Sequence, residues 1–257
     1  MAWNAVGGTW RPVGGSVGGL NSGAPPPGIP TPADIFGAGL TVWTRSGAGF
    51  FTDTAGSTPA DPTDAVARWS DQSGGSFHAT QSDASRRPLL DATGKFLEFD
   101  GVDDLLGPDS RPNAPDRVYA FRANLSGAAT LQIIFVHQGL TSEAQIRVTG
   151  TDVRVWMRDG AGTLFNPTAS VPTAFGAWRT FILHAPSTGF EVFVDGASVL
   201  SGAYGTPVSA TGNTNFDLSH PSFPVDGAIA EFVYARSPLT PAMRADLEAY
   251  MAGRETA

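Results

Sequence analysis

From about residue 34 onward, apolar and polar positions alternate over short stretches separated by turn residues. TDVRVWMRDG, Thr151 to Gly160, places Val153, Val155 and Met157 on one face and Arg154, Trp156 and Arg158 on the other. That period of two, closed by Asp159-Gly160, predicts a strand running into a hairpin-type turn. EAQIRVTG (Glu143 to Gly150) carries Ile146 and Val148 on one face, and TLQIIFVHQG (Thr130 to Gly139) is a near-continuous apolar run of strand length. WRTFILHA (Trp178 to Ala185) and FEVFVDG (Phe190 to Gly196) flank a PSTG turn, and the second again ends in Asp-Gly. Strands with so little helix between them predict antiparallel sheets, hence a sandwich or barrel.

One helix interrupts the pattern near the end. In SPLTPAMRADLEAYMAG, Thr240 is placed to cap a helix whose first residue is Pro241. Leu239, Met243, Leu247, Tyr250 and Met251 form one stripe, and Gly253 suits the C-terminal cap. The stripe predicts a helix packed on the edge of the sandwich, with no chemistry of its own.

LEFDGVDDLL, Leu97 to Leu106, sets four acidic residues in an apolar run. Leu97 and Phe99 are expected to face the core, and Glu98 and Asp100 the opposite side. Gly101 breaks the strand, and Asp103 and Asp104 fall in the turn beyond it.

Residues 1 to 33 differ from the rest. They carry three Val-Gly-Gly units, the tryptophans Trp3 and Trp10, and the proline-rich stretch Ala24 to Pro32. This composition reads as a flexible segment followed by a stiff spacer. The two tryptophans point to an arm that docks on a partner. The expected organisation is therefore an arm, 1–33, and one domain, 34–257.

Composition narrows the chemistry. Glycine (31) and proline (20) suit many strands joined by tight turns, and 41% hydrophobic residues can build a core in a chain of 257. The formal net charge is -8 and Lys95 is the only lysine, so nucleic acid and anionic membrane surfaces are not expected partners. The absence of cysteine excludes disulfides, thiolate metal sites and cysteine nucleophiles. No apolar run approaches the ~20 residues of a membrane span, and the first 15 residues lack the basic-then-apolar pattern of a Sec-type signal. Neither a G-x-S-x-G elbow nor a P-loop occurs.

Three blocks in order carry a resemblance: Val66 to Leu90 leading into KFLEFDGVDDLL, Ala177 to Gly202, and Gly227 to Met251. A W-x-D-x-S-G segment precedes a strand ending in FDG, a W…DG hairpin follows, and a G-x-I-x-E strand leads into a helix. Over about residues 34 to 253 this resembles the concanavalin A-like lectin/glucanase superfamily, in particular the laminin-G-like jelly-roll domains of phage and bacterial proteins. The resemblance implies an all-β fold: a two-sheet antiparallel jelly-roll sandwich, here with a short C-terminal helix and an extended N-terminal arm. It also implies ligands on the concave face or its rim, and structural roles for Trp43, Trp69 and Trp178.

Glucanases of that superfamily use an E-x-D-x-(x)-E strand to supply paired carboxylates about 5 Å apart. Glu98 and Asp100 match its first two acids, but Asp103 and Asp104 follow where the second glutamate belongs. No catalytic residue is therefore expected, and the protein is read as a non-enzyme. Asp100, Asp103 and Asp104 could join backbone carbonyls around calcium, or they could simply cap a turn. The expectation is no metal and no cofactor, with calcium as the alternative. His78, His137, His184 and His220 lack zinc-ligand spacing.

Glycan recognition combines an aromatic ring with arginine, asparagine or aspartate. Arg154, Trp156 and Arg158 fit that composition, as do Asn213, Asn215 and Asp217 in the loop Thr211 to His220, although core packing and turn chemistry explain the same residues. The expected function is a virion spike, fibre or decoration protein that binds host surface glycan and attaches to capsid or tail through Trp3 and Trp10, in many copies. The alternatives are a ligand-free structural decoration protein and an atypical glycoside hydrolase.

Overall fold

The computed structural model describes residues 3–6, 9–12, 28–126, 131–138, 143–171, 175–209 and 213–256, with backbone alone at 3–6, 9–12, 108–111, 138 and 213–215. Its described residues form a two-sheet antiparallel β-sandwich with a C-terminal helix. One sheet has eight strands. In lateral order they are Ala197–Ala203, Gly189–Val194, Trp178–Ala185, Arg117–Leu125, Asp226–Ala235, Leu97–Asp100 and Leu89–Leu90; Leu40–Thr44 shares the outer edge of Asp226–Ala235. The other has seven: Leu164–Phe165, Asp152–Arg158, Ala144–Thr149, Gln132–Gln138, Asn213–Leu218 and Leu106–Pro112, with Thr168–Ser170 also pairing Asp152–Arg158. A small sheet of three strands, Phe50–Phe51, Arg68–Trp69 and Ala79–Thr80, flanks them.

Turn chemistry sets the register where the sequence is clearest. Asp195 (φ 46°) and Gly196 (φ 80°) both take positive φ, so Val194 pairs with Ala197 across a two-residue hairpin turn. Between the sheets, Tyr119, Phe121, Phe135, Phe216, Phe232 and Tyr234 stack with ring centroids 4.6 to 5.9 Å apart. Each such pair adds about 0.5–1.5 kcal/mol beyond the area it buries. Trp69 is fully buried and Trp43 nearly so, as the resemblance implies.

The helix Pro241–Met251 starts where the sequence places it. Thr240 Oγ1 accepts from the Met243 amide at 3.2 Å, Pro241 is the first helical residue, and Gly253 follows the last turn at φ 77°. Its location differs from expectation, because it covers the outer face of the eight-stranded sheet rather than an edge. Leu247, Tyr250 and Met251 pack there on Val118, Ala120, Ile182, Val233 and Ala235, beside Phe36 of the short helix Pro32–Phe36. The cause lies in the strands. RVYAFRANL and AIAEFVYA are apolar at both parities over part of their length, so both faces need cover.

That cover is partial. Along Arg117–Leu125 the outward positions run Val118, Ala120, Arg122, Asn124, and the helix covers only the first two. Arg122 is covered by Glu255, just past the helix, and the sheet face opens beyond it, at Asn124.

Candidate ligand-binding site

At the open end of the eight-stranded sheet, register places four side chains in one row. Trp178 pairs with Asn124, Asn124 with Ala228, and Ala228 with Glu98, across four adjacent strands. Residues directly opposite one another share a face, and neighbouring strands lie about 4.8 Å apart. Ala228 is the small member, so the row dips at its centre. Phe96, one residue before the strand of Glu98, reaches over this floor to meet Trp178 edge-on, with centroids 4.9 Å apart and planes at 68°. The two rings wall a cavity of about 500 Å³ whose polar lining includes Glu98, Asn124, Ser126 and Asp226.

The polar groups divide into two kinds. Asp226 is fixed: its carboxylate accepts from the Ser126 hydroxyl, and its amide donates to Gln132 Oε1 at 3.0 Å. Ser126 in turn donates its amide to the Asp226 carbonyl at 2.8 Å. By contrast, the side chains of Glu98, Asn124 and Trp178 make no hydrogen bond or ion pair with any described residue. An acceptor-only carboxylate, a carboxamide and an indole N–H therefore face solvent beside an aromatic wall.

Behind that wall the sheet face is closed. Arg122, two residues before Asn124, holds both Glu255 carboxylate oxygens at 2.8 and 2.9 Å. Further back, Glu231 is fully buried and accepts from Trp43 Nε1 (2.6 Å), Arg254 Nε (2.8 Å), the Ser46 amide (3.3 Å) and the Tyr250 hydroxyl. The glutamate of the G-x-I-x-E block is thus a clamp on the C-terminal helix. Asp71 of the W-x-D-x-S-G block is likewise structural, accepting from the amides of Trp43, Ser73 and Phe77 and from the Ser73 hydroxyl.

Trp178 is the correction to the sequence reading. It is half-buried and lines the cavity, whereas Trp43 and Trp69 are core. Its place at the first position of its strand, beyond the reach of the helix, leaves one side of the ring uncovered.

Arg154, Trp156 and Arg158 lie, as the alternation predicts, on the outer face of the seven-stranded sheet, each half-buried. Asp217 shares that face: Trp156, Gln145, Val136 and Asp217 form a single cross-strand row. Here the polar groups are engaged with one another. The Arg147 guanidinium sits 4.0 Å over the Trp156 ring, Arg158 pairs with Glu143 at 2.8 Å, and Arg154 donates to Thr168 at 2.9 Å. Burial pushes the Asp217 carboxyl up to about 6, against the pull of Arg86. The side chains of Asn213 and Asn215 lie outside the described residues, as do those of Trp3 and Trp10. The backbones of the last two belong to an antiparallel pair, Trp3–Val6 with Thr9–Pro12.

Asp100, Asp103 and Asp104 bring carboxylate oxygens within 4.8 Å of one another. Turn chemistry accounts for their arrangement. Asp100 Oδ1 accepts from the Val102 amide at 2.8 Å, and Asp104 Oδ2 from the Asp100 amide at 3.0 Å. Burial, with the negative charges of Asp100 and Asp103, raises the Asp104 carboxyl to about 6. Calcium would find three oxygen donors here, two of which already serve the turn.

No protein-family model matches the chain, and no curated protein matches it. Solved structures do resemble it in fold. The botulinum neurotoxin serotype D binding domain superposes with a TM-score of 0.57 at 9% identity, over 85% of this chain and 52% of that one. Trypanosoma rangeli sialidase gives 0.57 at 12% identity, over 89% of this chain and 34% of that one. The chain thus spans about half of the toxin domain and a third of the sialidase. At such identities the likeness establishes the β-sandwich and nothing finer.

Proposed function

We propose that this protein is a non-enzymatic, carbohydrate-binding β-sandwich of the laminin-G-like kind, and that it binds glycan in the cavity walled by Trp178 and Phe96. The observation that carries this reading is the convergence of Glu98, Asn124 and the Trp178 indole, none with a hydrogen-bond partner among the described residues, on one aromatic-walled hollow. Pyranose rings need an apolar surface for their C–H face and mixed donors and acceptors for their hydroxyls. Because those groups have no partner among the described residues, a ligand gains their hydrogen bonds without breaking any to those residues.

A glycan array probed with the full chain and with Trp178→Ala tests this reading. Retention of one glycan class, lost in the variant, is the expected result. Retention that survives Trp178→Ala but disappears in Trp156→Ala would move the site to the seven-stranded face.

A second reading, hydrolysis, is favoured by one observation: Glu98 and Asp226 line the same cavity, and glycosidases need two carboxylates. Release of reducing ends that disappears in Glu98→Gln would establish it. The wider role we propose is display on a virion, as a spike, fibre or decoration protein, with residues 1–33 attaching many copies to capsid or tail. Multiple copies would turn weak single-site binding into firm attachment. Assembly of a chain lacking residues 1–33 into particles would refute the attachment role.

A further inference from the structure

Asp226 lines a second hollow besides the aromatic-walled cavity. That hollow, of about 650 Å³, is also lined by Asp100, Gly101, Val102, Leu131, Ser222 and Phe223, among others. Register sets the linings of the two hollows side by side. Asp226 pairs directly with Asp100, and Ala228 with Glu98, so Glu98 and Asp100 project from the same sheet face two residues apart. That separation is about 6.6 Å along the strand. Gly101 makes the junction, because its φ of 75° turns the chain and a Cβ there would stand 2.8 Å from Asp226 Cβ. At the far end, two apolar side chains are uncovered, Phe223 at 38% exposure and Val102 at 69%. The loop that carries Phe223 is held down, its carbonyl accepting from the Ile133 amide at 3.0 Å and its amide donating to the His220 carbonyl at 3.0 Å.

We infer that the two hollows form one groove with two subsites meeting at Asp226, and that its ligand is a linear oligosaccharide without anionic groups rather than a terminal monosaccharide. The inference rests on the carbohydrate reading above. Each hollow is of the ~300–1,000 Å³ size that holds a small molecule, so a single sugar leaves one of them unfilled. Each has an aromatic at its outer end: Trp178 with Phe96 in one, Phe223 in the other. Glu98, Asp100 and Asp226 lie between them, and no cationic side chain is among the described lining residues. Carboxylates accept hydrogen bonds and cannot donate them. Sugar hydroxyls meet that requirement, while uronic or sialic carboxylates would be repelled.

Calorimetric titration of the full chain with neutral gluco-, manno- and N-acetylchito-oligosaccharides of one to six units tests the inference. Oligogalacturonides and de-N-acetylated chito-oligosaccharides serve as anionic and cationic comparisons. Affinity is expected to rise at least tenfold between one unit and three or four, then level off, with oligogalacturonides at least tenfold weaker. Phe223→Ala should remove the gain from length while leaving monosaccharide affinity within twofold; because Phe223 is exposed, a thermal melt will show that the variant is folded. Length-independent binding that requires Trp178 would overturn the groove and leave the single cavity standing. A tenfold preference for an anionic chain over the neutral ones would overturn the ligand class, whereas equal or tighter binding of the cationic chain would support it. Failure of every probe to bind would overturn both the groove and the carbohydrate reading.

Discussion

Trp43 Nε1 donates to Glu231 at 2.6 Å, joining the strand nearest the N-terminal end of the sandwich to the fully buried glutamate beneath the C-terminal helix. Arg254, Tyr250 and the Ser46 amide converge on the same carboxylate. Removing one partner of a buried ion pair costs about 3–5 kcal/mol, because the remaining charge loses its compensation. Glu231→Ala should therefore lower the urea-unfolding free energy by that amount, and Glu231→Gln by less, since one carbonyl oxygen still accepts. A change under about 1 kcal/mol in the alanine variant would mean that the clamp does not hold the helix.

Much of this architecture was legible in the sequence, for physical reasons. Period-two alternation placed Arg154, Trp156 and Arg158 on a solvent face, and Thr240-Pro241 marked a helix start, because both signals are local. The site was not legible, because it is assembled by register between strands far apart in the chain: Glu98, Asn124, Trp178 and Ala228 become neighbours only in the sheet. One signal was present. On the outward parity of RVYAFRANL, Val118 and Ala120 give way to Arg122 and Asn124, which marks where the helix cover ends. Composition drew attention to Trp156 instead, whose ring the structure shows beneath Arg147.

Asn124→Ala should separate the two surfaces. The Asn124 side chain has no hydrogen-bond partner among the described residues, so stability should change by no more than about 0.5 kcal/mol. Glycan affinity should fall about 10- to 100-fold, the effect of one or two lost hydrogen bonds. Trp156→Ala should show the reverse pattern, losing up to about 1 kcal/mol with the Arg147 stack and leaving affinity unchanged. Titration and thermal melts on the two variants check both halves.

Gly101→Ala should impair fold and site together. An alanine at φ 75° costs about 1 kcal/mol or more, and its Cβ would press on Asp226. The expected outcome is a stability loss of about 1–3 kcal/mol together with weakened glycan binding, since Asp226 lines both hollows. Gly94→Ala is a suitable control, because a Cβ there meets only Pro62 Cγ at 3.7 Å; it shares the backbone cost at φ 74° without the contact.

Asp104 gives stability a pH dependence whose sign follows from its raised carboxyl. Burial lifts it to about 6, above its ordinary value of 3.8, so between those limits the folded chain binds more protons than the unfolded one. Stability from this group is therefore fully present below about pH 4 and lost as pH rises to about 6. Asp217, also raised to about 6, acts in the same sense. His184 and His220, lowered by burial, act in the opposite one below their ordinary 6.5. The difference between Asp104→Asn and the native chain isolates the aspartate. The carboxamide of that variant retains an acceptor for the Asp100 amide. It also removes a charge that, after solvent screening, costs about 1–2 kcal/mol at neutral pH. Urea unfolding at half-unit steps from pH 4 to 8 should show the variant gaining on the native chain up to about pH 6 and holding that advantage above it. A constant difference across the range would show that Asp104 keeps an ordinary carboxyl in the folded protein.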